Sequence, residues 1–421
     1  MNAPITRPAT HQAPEYLVWQ DAQGHEHRSI WHSESGAALP SRFQLADDTL
    51  TADSALRLAA AGVALIWQGD FQNAKLLMQA MGRRLAARAA KPKKTGKKPL
   101  PAASFPHAFH LHRQAIAQRA QILGRLLVPL NADYVIPLRR APDIQAAVQQ
   151  AWGPSSDATP PSPNAEHLLS LRELQGLIGA FEWRRQGVEI PALGSAPRNR
   201  IHPHYGVFSP IRGEYIDLVA QAPLPPLPTG ADSLRAFDIG VGTGVLSALL
   251  VKRGVKHIIA TDLDPRALAC AAENLQRLGC ADAVKLQAAD LFPKSESGTA
   301  PSQAPLQADL IVCNPPWLPG KPSAPIEAAV YDLNSQMLQG FLAQVKPHLS
   351  PGGEAWLILS DLAEHLGLRT RETLLGWIEA GGLQVLGRID TPAKHPKAMD
   401  PQDPLHAARS AELTSLWRLG R

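Results

Sequence analysis

The chain has 421 residues, 45% hydrophobic and 19% charged, with a net charge of +5, which excludes a disordered protein and leaves room for two domains with sizeable cores. Its three cysteines, Cys270, Cys280 and Cys313, form no CxxC pair, which excludes a disulfide framework or zinc cluster and makes them small core hydrophobes.

In chain order, MNAPITRPATHQAPEY (residues 1–16) has no apolar signal core, and no later apolar run approaches the ~18–20 residues of a membrane span. A cytoplasmic protein is expected. TADSALRLAAA places a cap, Thr51 or Asp53, before an apolar run and predicts a helix. VALIW (63–67) reads as a short strand. Residues 70–90 predict a helix that starts at a capping Asp70 and ends in arginines. Helical spacing recurs over 108–128 and 167–185, with a loop at 153–164. Residues 1–200 are therefore expected to form a mainly helical (α+β) domain, separate from residues 201–421.

The charge is uneven. Residues 51–140 hold 15 Lys and Arg against 3 Asp and Glu, and the stretch includes KPKKTGKKP at 91–99. Such a run is either a solvated linker or an arm for the phosphates of RNA or DNA. His107, His110 and His112 lack a neighbouring carboxylate or cysteine, as do His202 and His204, so no metal site is expected.

After residue 230 strands and helices alternate. Strands are predicted at LRAFDIG, KHIIATD, AVKLQA, ADLIVC, GEAWLILS, LQVLGRID and ELTSLWRL. Helices separate most of them, at VLSALLVKRG, RALACAAENLQRLG, NSQMLQGFLAQVKPHL and RETLLGWIEAGG. This alternation predicts an α/β fold, a parallel sheet with helices on both faces and ligands at the carboxyl ends of its strands.

The first of these strands runs into FDIGVGTGVL, with Gly240, Gly242 and Gly244 forming a tight turn that a ligand can approach closely. Twenty-two residues after Gly240, the next strand ends at Asp262, placed to accept ribose hydroxyls. Asp290, after the third strand, could accept a hydrogen bond from an adenine amino group. A nicotinamide dinucleotide would call for a glycine at 245, which is valine here. Asp238 just before the glycines suits a cationic amino group rather than a pyrophosphate. S-adenosylmethionine combines such a group with an adenosine and no phosphate, and is the cofactor expected.

The strand ADLIVC leaves the core through Asn314-Pro315-Pro316-Trp317. A planar nitrogen, in an amide or aromatic amine, is a poor nucleophile because its lone pair is delocalised. Accepting hydrogen bonds from both its N–H groups turns that lone pair toward an electrophile. Asn314 offers a side-chain oxygen and Pro315 a backbone carbonyl, and the paired prolines fix the backbone that carries them. Trp317 offers a flat face for stacking, worth ~1–3 kcal/mol per base. Holding nitrogen and methyl in line at ~3–3.5 Å supplies most of the catalysis. Asp361, four residues before His365, is expected to cap a helix rather than to act as an acid or base.

Together FDIGVGTGVL, ATDLDP, AADLF and NPPW resemble the class I S-adenosylmethionine-dependent methyltransferases. Within them they resemble the branch that methylates planar nitrogens: adenine-amino, ribosomal-RNA guanine and release-factor glutamine methyltransferases. The resemblance covers residues 201–421, which it implies are the catalytic domain, with residues 1–200 as the domain that recognises the substrate. It implies a Rossmann-like seven-stranded sheet with a reversed final hairpin. It also implies that Asp238, Gly240, Gly242 and Gly244 line the methionine part of the cofactor, Asp262 the ribose and Asp290 the adenine. HYGVFSPIRGEYIDLV (204–219) looks like the segment that covers the cofactor in this family, with Phe208 and Pro210 as contacts. Tryptophan at 317, where glutamine-modifying relatives carry tyrosine and guanine-modifying ones phenylalanine, fits the adenine-type signature. The expected activity is methyl transfer to a base in RNA, rRNA or tRNA, ahead of DNA. The alternatives are methylation of a glutamine in a translation-associated protein and a cofactor-binding RNA scaffold without activity.

Overall fold

The computed structural model describes residues 15–90, 105–154, 166–295, 304–322 and 325–421. The basic run at 91–99 and most of the loop at 153–164 lie outside them. The described chain divides into two compact units, one of residues 15–90 and 110–182, the other of residues 105–109 and 183–421.

The first unit contains β1 (Tyr16–Gln20), β2 (Glu26–His32), β3 (Phe43–Ala46), α1 (Ala52–Ala60), β4 (Ala64–Trp67) and α2 (Phe71–Ala90). Most of α3 (Phe105–Leu123) follows, then β5 (Leu126–Leu130), α4 (Gln145–Trp152), β6 (Glu166–Ser170) and most of α5 (Leu171–Gln186). Helical residues outnumber strand residues, yet the centre is a six-stranded mixed sheet of order β1-β2-β6-β5-β4-β3. Two expected helices are shorter than their spacing suggests. LLVPL at the end of one is the buried strand β5, and HLLS at the start of the other belongs to the strand β6. A short, fully buried strand and a buried helical turn carry the same apolar signal, and only pairing partners separate them. β5 pairs with β4 and β6, whose Ile66, Leu127 and Leu168 share a core cluster with Leu17 and Trp19. Thr51 is the cap of α1 and accepts the Ser54 N–H, and Asp70 accepts the Gln72 N–H at the start of α2.

The second unit begins at Trp183 rather than near 200. The small hairpin β7 (Val188–Glu189) and β8 (Arg200–Ile201) contributes Val188, Ile190, Leu193 and Ile201 to its core. Then come α6 (Glu214–Gln221), β9 (Arg235–Ile239), α7 (Val245–Lys252), β10 (His257–Asp262), α8 (Pro265–Arg277), β11 (Val284–Ala288), β12 (Ala308–Cys313) and α9 (Gln336–Gln344). The chain closes with β13 (Leu349–Ser360), α10 (Leu362–His365), α11 (Arg371–Ala380), β14 (Gln384–Pro392), α12 (Pro396–Met399), α13 (His406–Ser410) and β15 (Leu413–Gly420).

These seven strands form one sheet of order β11-β10-β9-β12-β13-β15-β14, with β15 antiparallel to both neighbours. This is the α/β Rossmann-like sheet with a reversed final hairpin. Alternate residues feed two core layers. Ala236, Ile258, Val312, Trp356 and Leu416 point to one layer, and Phe237, Ile311, Cys313, Leu357 and Trp417 to the other. A sheet buried on both faces reads as continuous apolar runs, as ADLIVC does. All three cysteines are free and buried. Among the described residues no helix is long and apolar enough to cross a membrane.

Candidate active site

The strand order reverses between β9 and β12, so their carboxyl ends open a crevice where open α/β sheets take ligands. The register sets what meets there. Ile239 stands opposite Thr261 on one side and Cys313 on the other. The next residues, Gly240, Asp262 and Asn314, therefore leave three adjacent strands at one level.

The glycine turn serves two purposes. Gly240, Gly242 and Gly244 all have left-handed φ, +78°, +52° and +80°. A Cβ on Gly240 would come 3.1 Å from the Met337 Cε, and one on Gly244 would come 3.3 Å from Ala271 of α8. Gly240 thus leaves room for the Met337 side chain, while Gly244 lets α7 pack against α8. Gly240 and Val241 donate their N–H groups to the Thr261 carbonyl at 2.9 and 2.8 Å, which pins the turn to β10.

Two carboxylates flank the turn. Asp238 is 1% exposed and accepts the Ser247 hydroxyl at 2.6 Å. Burial pushes its carboxyl up to about 6, against the Ser247 hydrogen bonds, and the Asp262 charge adds to the rise. Asp262 accepts the Gly242 N–H at 3.1 Å and the Asp264 N–H at 2.9 Å, and burial raises its carboxyl too. Each bond occupies one lone pair and leaves others for ligand hydroxyls. The Gly242 N–H, which would face a phosphate in a phosphate loop, is committed to a carboxylate. A phosphate fits this turn poorly. A cofactor with a cationic amino group and a ribose fits it. Asp290 is exposed after β11, beside Leu291, which has φ +62°.

The segment before the sheet is tied to α8. His202 N–H donates to Asn274 Oδ1 at 2.7 Å, His204 N–H lies 3.3 Å from Cys270 Sγ, and His204 Nε2 is 2.7 Å from Glu273 Oε2. Burial opposes ionisation of Glu273, but Arg277, His204 and Arg184 hold its carboxyl down at about 2. His202 and His204 therefore hold this segment in place. Among the described residues no group of three or more His, Cys, Asp or Glu could hold a metal ion. Phe208 is 36% exposed and Pro210 is buried.

Past β12, Asn314 is half-buried and Pro315 buried. The Trp317 indole N–H donates to Asn314 Oδ1 at 2.9 Å, and the Arg212 guanidinium lies 4.9 Å from the centre of the Trp317 ring. Beyond Pro316 the chain is stapled. Leu318 N–H donates to the Val330 carbonyl, and Asp332 N–H donates to the Leu318 carbonyl. Asp332 also accepts the Met337 and Leu338 N–H groups and so caps α9, which carries Met337 over Gly240. Asp361 is the cap residue of α10 by position, but its carboxylate accepts the Leu413 N–H at 2.7 Å and ties α10 to β15; the expected side-chain cap is not made. Sequence reasoning missed Ser247, Arg212, Glu214, Glu412 and Met337.

A cavity of about 380 Å³ lined by residues including Phe237, His257, Lys285 and Leu306 lies at the amino ends of β9, β10 and β11, away from these residues.

The profile of a family described as the methyltransferase small domain matches residues 198–370. The chain is 31% identical over 212 residues to the tRNA1(Val) (adenine(37)-N6)-methyltransferase of Shewanella loihica, covering 48% of this chain and 79% of that protein. It is 33% identical over 159 residues to the release factor glutamine methyltransferase of Cereibacter sphaeroides, covering 35% of this chain and 51% of that protein, about half its length. It is 31% identical over 155 residues to the ribosomal RNA small subunit methyltransferase C of Acinetobacter baumannii, covering 36% of this chain and 39% of that protein.

Proposed function

Because the chain belongs to the methyltransferase small-domain family of class I S-adenosylmethionine-dependent methyltransferases, we propose that it methylates a planar nitrogen, an exocyclic amine of a base in RNA. The observation that carries this reading is the common level of Gly240, Asp262 and Asn314 on three adjacent strands.

In this reading Asp238 and the glycine turn hold the methionine part, Asp262 the ribose and Asp290 the adenine, with Phe208 against the adenosyl group. When bound, S-adenosylmethionine supplies an electrophilic methyl group on a sulfonium. Asn314 Oδ1 keeps a lone pair beyond the one given to Trp317, and the Pro315 carbonyl is the second acceptor. Together they take both N–H groups of the flat amine and turn its lone pair toward the methyl. Pro315 and Pro316 fix the backbone, so this geometry exists before substrate arrives. The methylated nitrogen is acidic and gives its extra proton to water, so these residues need no strong base.

RNA is favoured over protein by the basic excess of residues 51–140, and within the described part of that stretch Arg83, Arg88 and Arg119 are exposed. It is also favoured by the extent of the match to the tRNA adenine enzyme. The release-factor relative supports the second reading, transfer to a glutamine of a translation-associated protein. A tRNA, a ribosomal RNA or a release factor, the substrates in the relatives' names, would each place the reaction in the cytoplasm. The test is to incubate the protein with methyl-labelled S-adenosylmethionine and extract from cells lacking it, then digest. Label released by RNase and retained after protease is expected. Protease-released label would establish the second reading, and no label in either fraction would overturn both.

A further inference from the structure

The Arg212 side chain lies between two carboxylates and one aromatic ring. Its Nε donates to Glu214 Oε1 at 3.0 Å and its Nη2 to Glu412 Oε1 at 3.0 Å. Both carboxylates are nearly fully buried, and Glu412 also accepts the Ser360 hydroxyl at 2.7 Å and lies 3.3 Å from His395 Nε2. A guanidinium bonded along two edges to buried partners cannot turn about its plane. Its face lies over Trp317, 4.9 Å from the ring centre. The ring in turn donates its only N–H to Asn314 Oδ1. Indole is a donor and never an acceptor, so this bond decides which end of the Asn314 amide faces Trp317: the oxygen.

The geometry points to Arg212 as a positioning residue for the acceptor pair, an inference that rests on the methyl-transfer reading of the same site. Arg212 holds the Trp317 ring, the ring holds the Asn314 amide, and the amide's remaining oxygen lone pair meets the substrate N–H. Arg212 lies in the segment before the sheet, Glu412 just before β15 and Ser360 at the end of β13. The clamp is thereby tied to the segment expected to cover the cofactor. One face of Trp317 is taken by the guanidinium, so a substrate base has at most the other face. The main task of Trp317 is then to orient Asn314, and stacking is secondary.

The test is a double-mutant cycle on Arg212→Met and Trp317→Phe with a second, activity-independent readout. Arg212→Met strands two buried carboxylates, so the cycle is repeated in a Glu214→Gln, Glu412→Gln background, where a folded protein is expected. Arg212→Met should leave S-adenosylmethionine affinity by calorimetry unchanged and lower kcat by about 100-fold, the scale of a misplaced reacting group. Arg212→Lys should not restore it, because an ammonium lacks the planar fork. The double variant should be no slower than Trp317→Phe alone. Additive losses, or a loss of cofactor affinity with kcat unchanged, would overturn the inference.

The indole ¹⁵N–¹H resonance of Trp317, assigned by its disappearance in Trp317→Phe, should be protected from solvent exchange in the parent and exposed in Arg212→Met. Unaltered protection overturns the inference even if the parent transfers no methyl group. Protection that disappears on substitution in an inactive parent would count against the activity alone.

Discussion

Asn314 follows the central strand β12 with its side-chain oxygen already holding the Trp317 N–H, so the amide is oriented before any ligand arrives. In the proposed reading Asn314→Ala removes an acceptor for the reacting nitrogen. Turnover should fall by ~100-fold or more, the scale of losing one preorganised polar group, while calorimetry shows cofactor affinity retained. Turnover at the parent rate would remove Asn314 from the clamp. Asp238 makes a different kind of prediction. Its carboxyl is raised from the usual 3.8 to about 6 by burial, so ionising it works against the fold. The stabilisation is complete below pH 3.8 and is lost as pH rises through about 6, a difference on the order of 3 kcal/mol. A cationic cofactor prefers the ionised form. Its affinity should therefore rise about tenfold from pH 5 to pH 7, and Asp238→Asn should flatten that dependence. An equal slope in the variant would assign the titration to another group, such as Asp262, whose carboxyl is also raised.

The glycine turn between β9 and α7 is the element that joins the proposed cofactor site to packing. Gly244 has φ +80° and sits 3.3 Å, measured from an added Cβ, from Ala271 in α8. Gly254, after α7, has φ +94° with open space around it. Gly254→Ala should cost about 1–2 kcal/mol from backbone strain alone. Gly244→Ala adds a steric cost of about 1–3 kcal/mol, because α7 and α8 must separate. Urea midpoints compare the two, and equal losses would show that α8 yields freely where it meets the turn. The elements also show where periodicity runs out. LLVPL and HLLS are strands that extend neighbouring helical patterns without a break in hydrophobicity. β2, EHRSIWH, has no clean alternation at all and becomes a strand through pairing with β1 and β6. Strands β9, β10, β12 and β13 were readable because each is a largely buried run that leads into a helix.

Across the molecule the charge is divided. Residues 1–200 hold 23 basic against 15 acidic residues, and 201–421 hold 19 against 22. If the first unit carries the RNA surface, replacing the exposed Arg83, Arg88 and Arg119 by Gln should weaken RNA binding. It should also flatten the dependence of log K on log salt, by up to ~0.7 for each single-strand phosphate that is no longer neutralised. An unchanged slope would exclude these arginines from the interface, and Asn314 chemistry should be untouched in either case when a short substrate is used at saturation.

Local chemistry along the chain is enough to place the α/β alternation of the second unit, the glycine turn, the acidic residue ending β10 and the Asn-Pro-Pro-Trp exit from β12. Each of these is a local requirement: a positive φ, a strand end, or a backbone without an N–H. Tertiary structure alone decided that Asn314, Gly240 and Asp262 share one level, that Asp238 is bonded by Ser247, and that Arg212 lies on Trp317 between Glu214 and Glu412. It also decided that the first unit is built on a six-stranded sheet. The fold brings together residues far apart in the chain, such as Arg212 and Glu412, 200 positions apart, and no periodicity within either segment records that meeting.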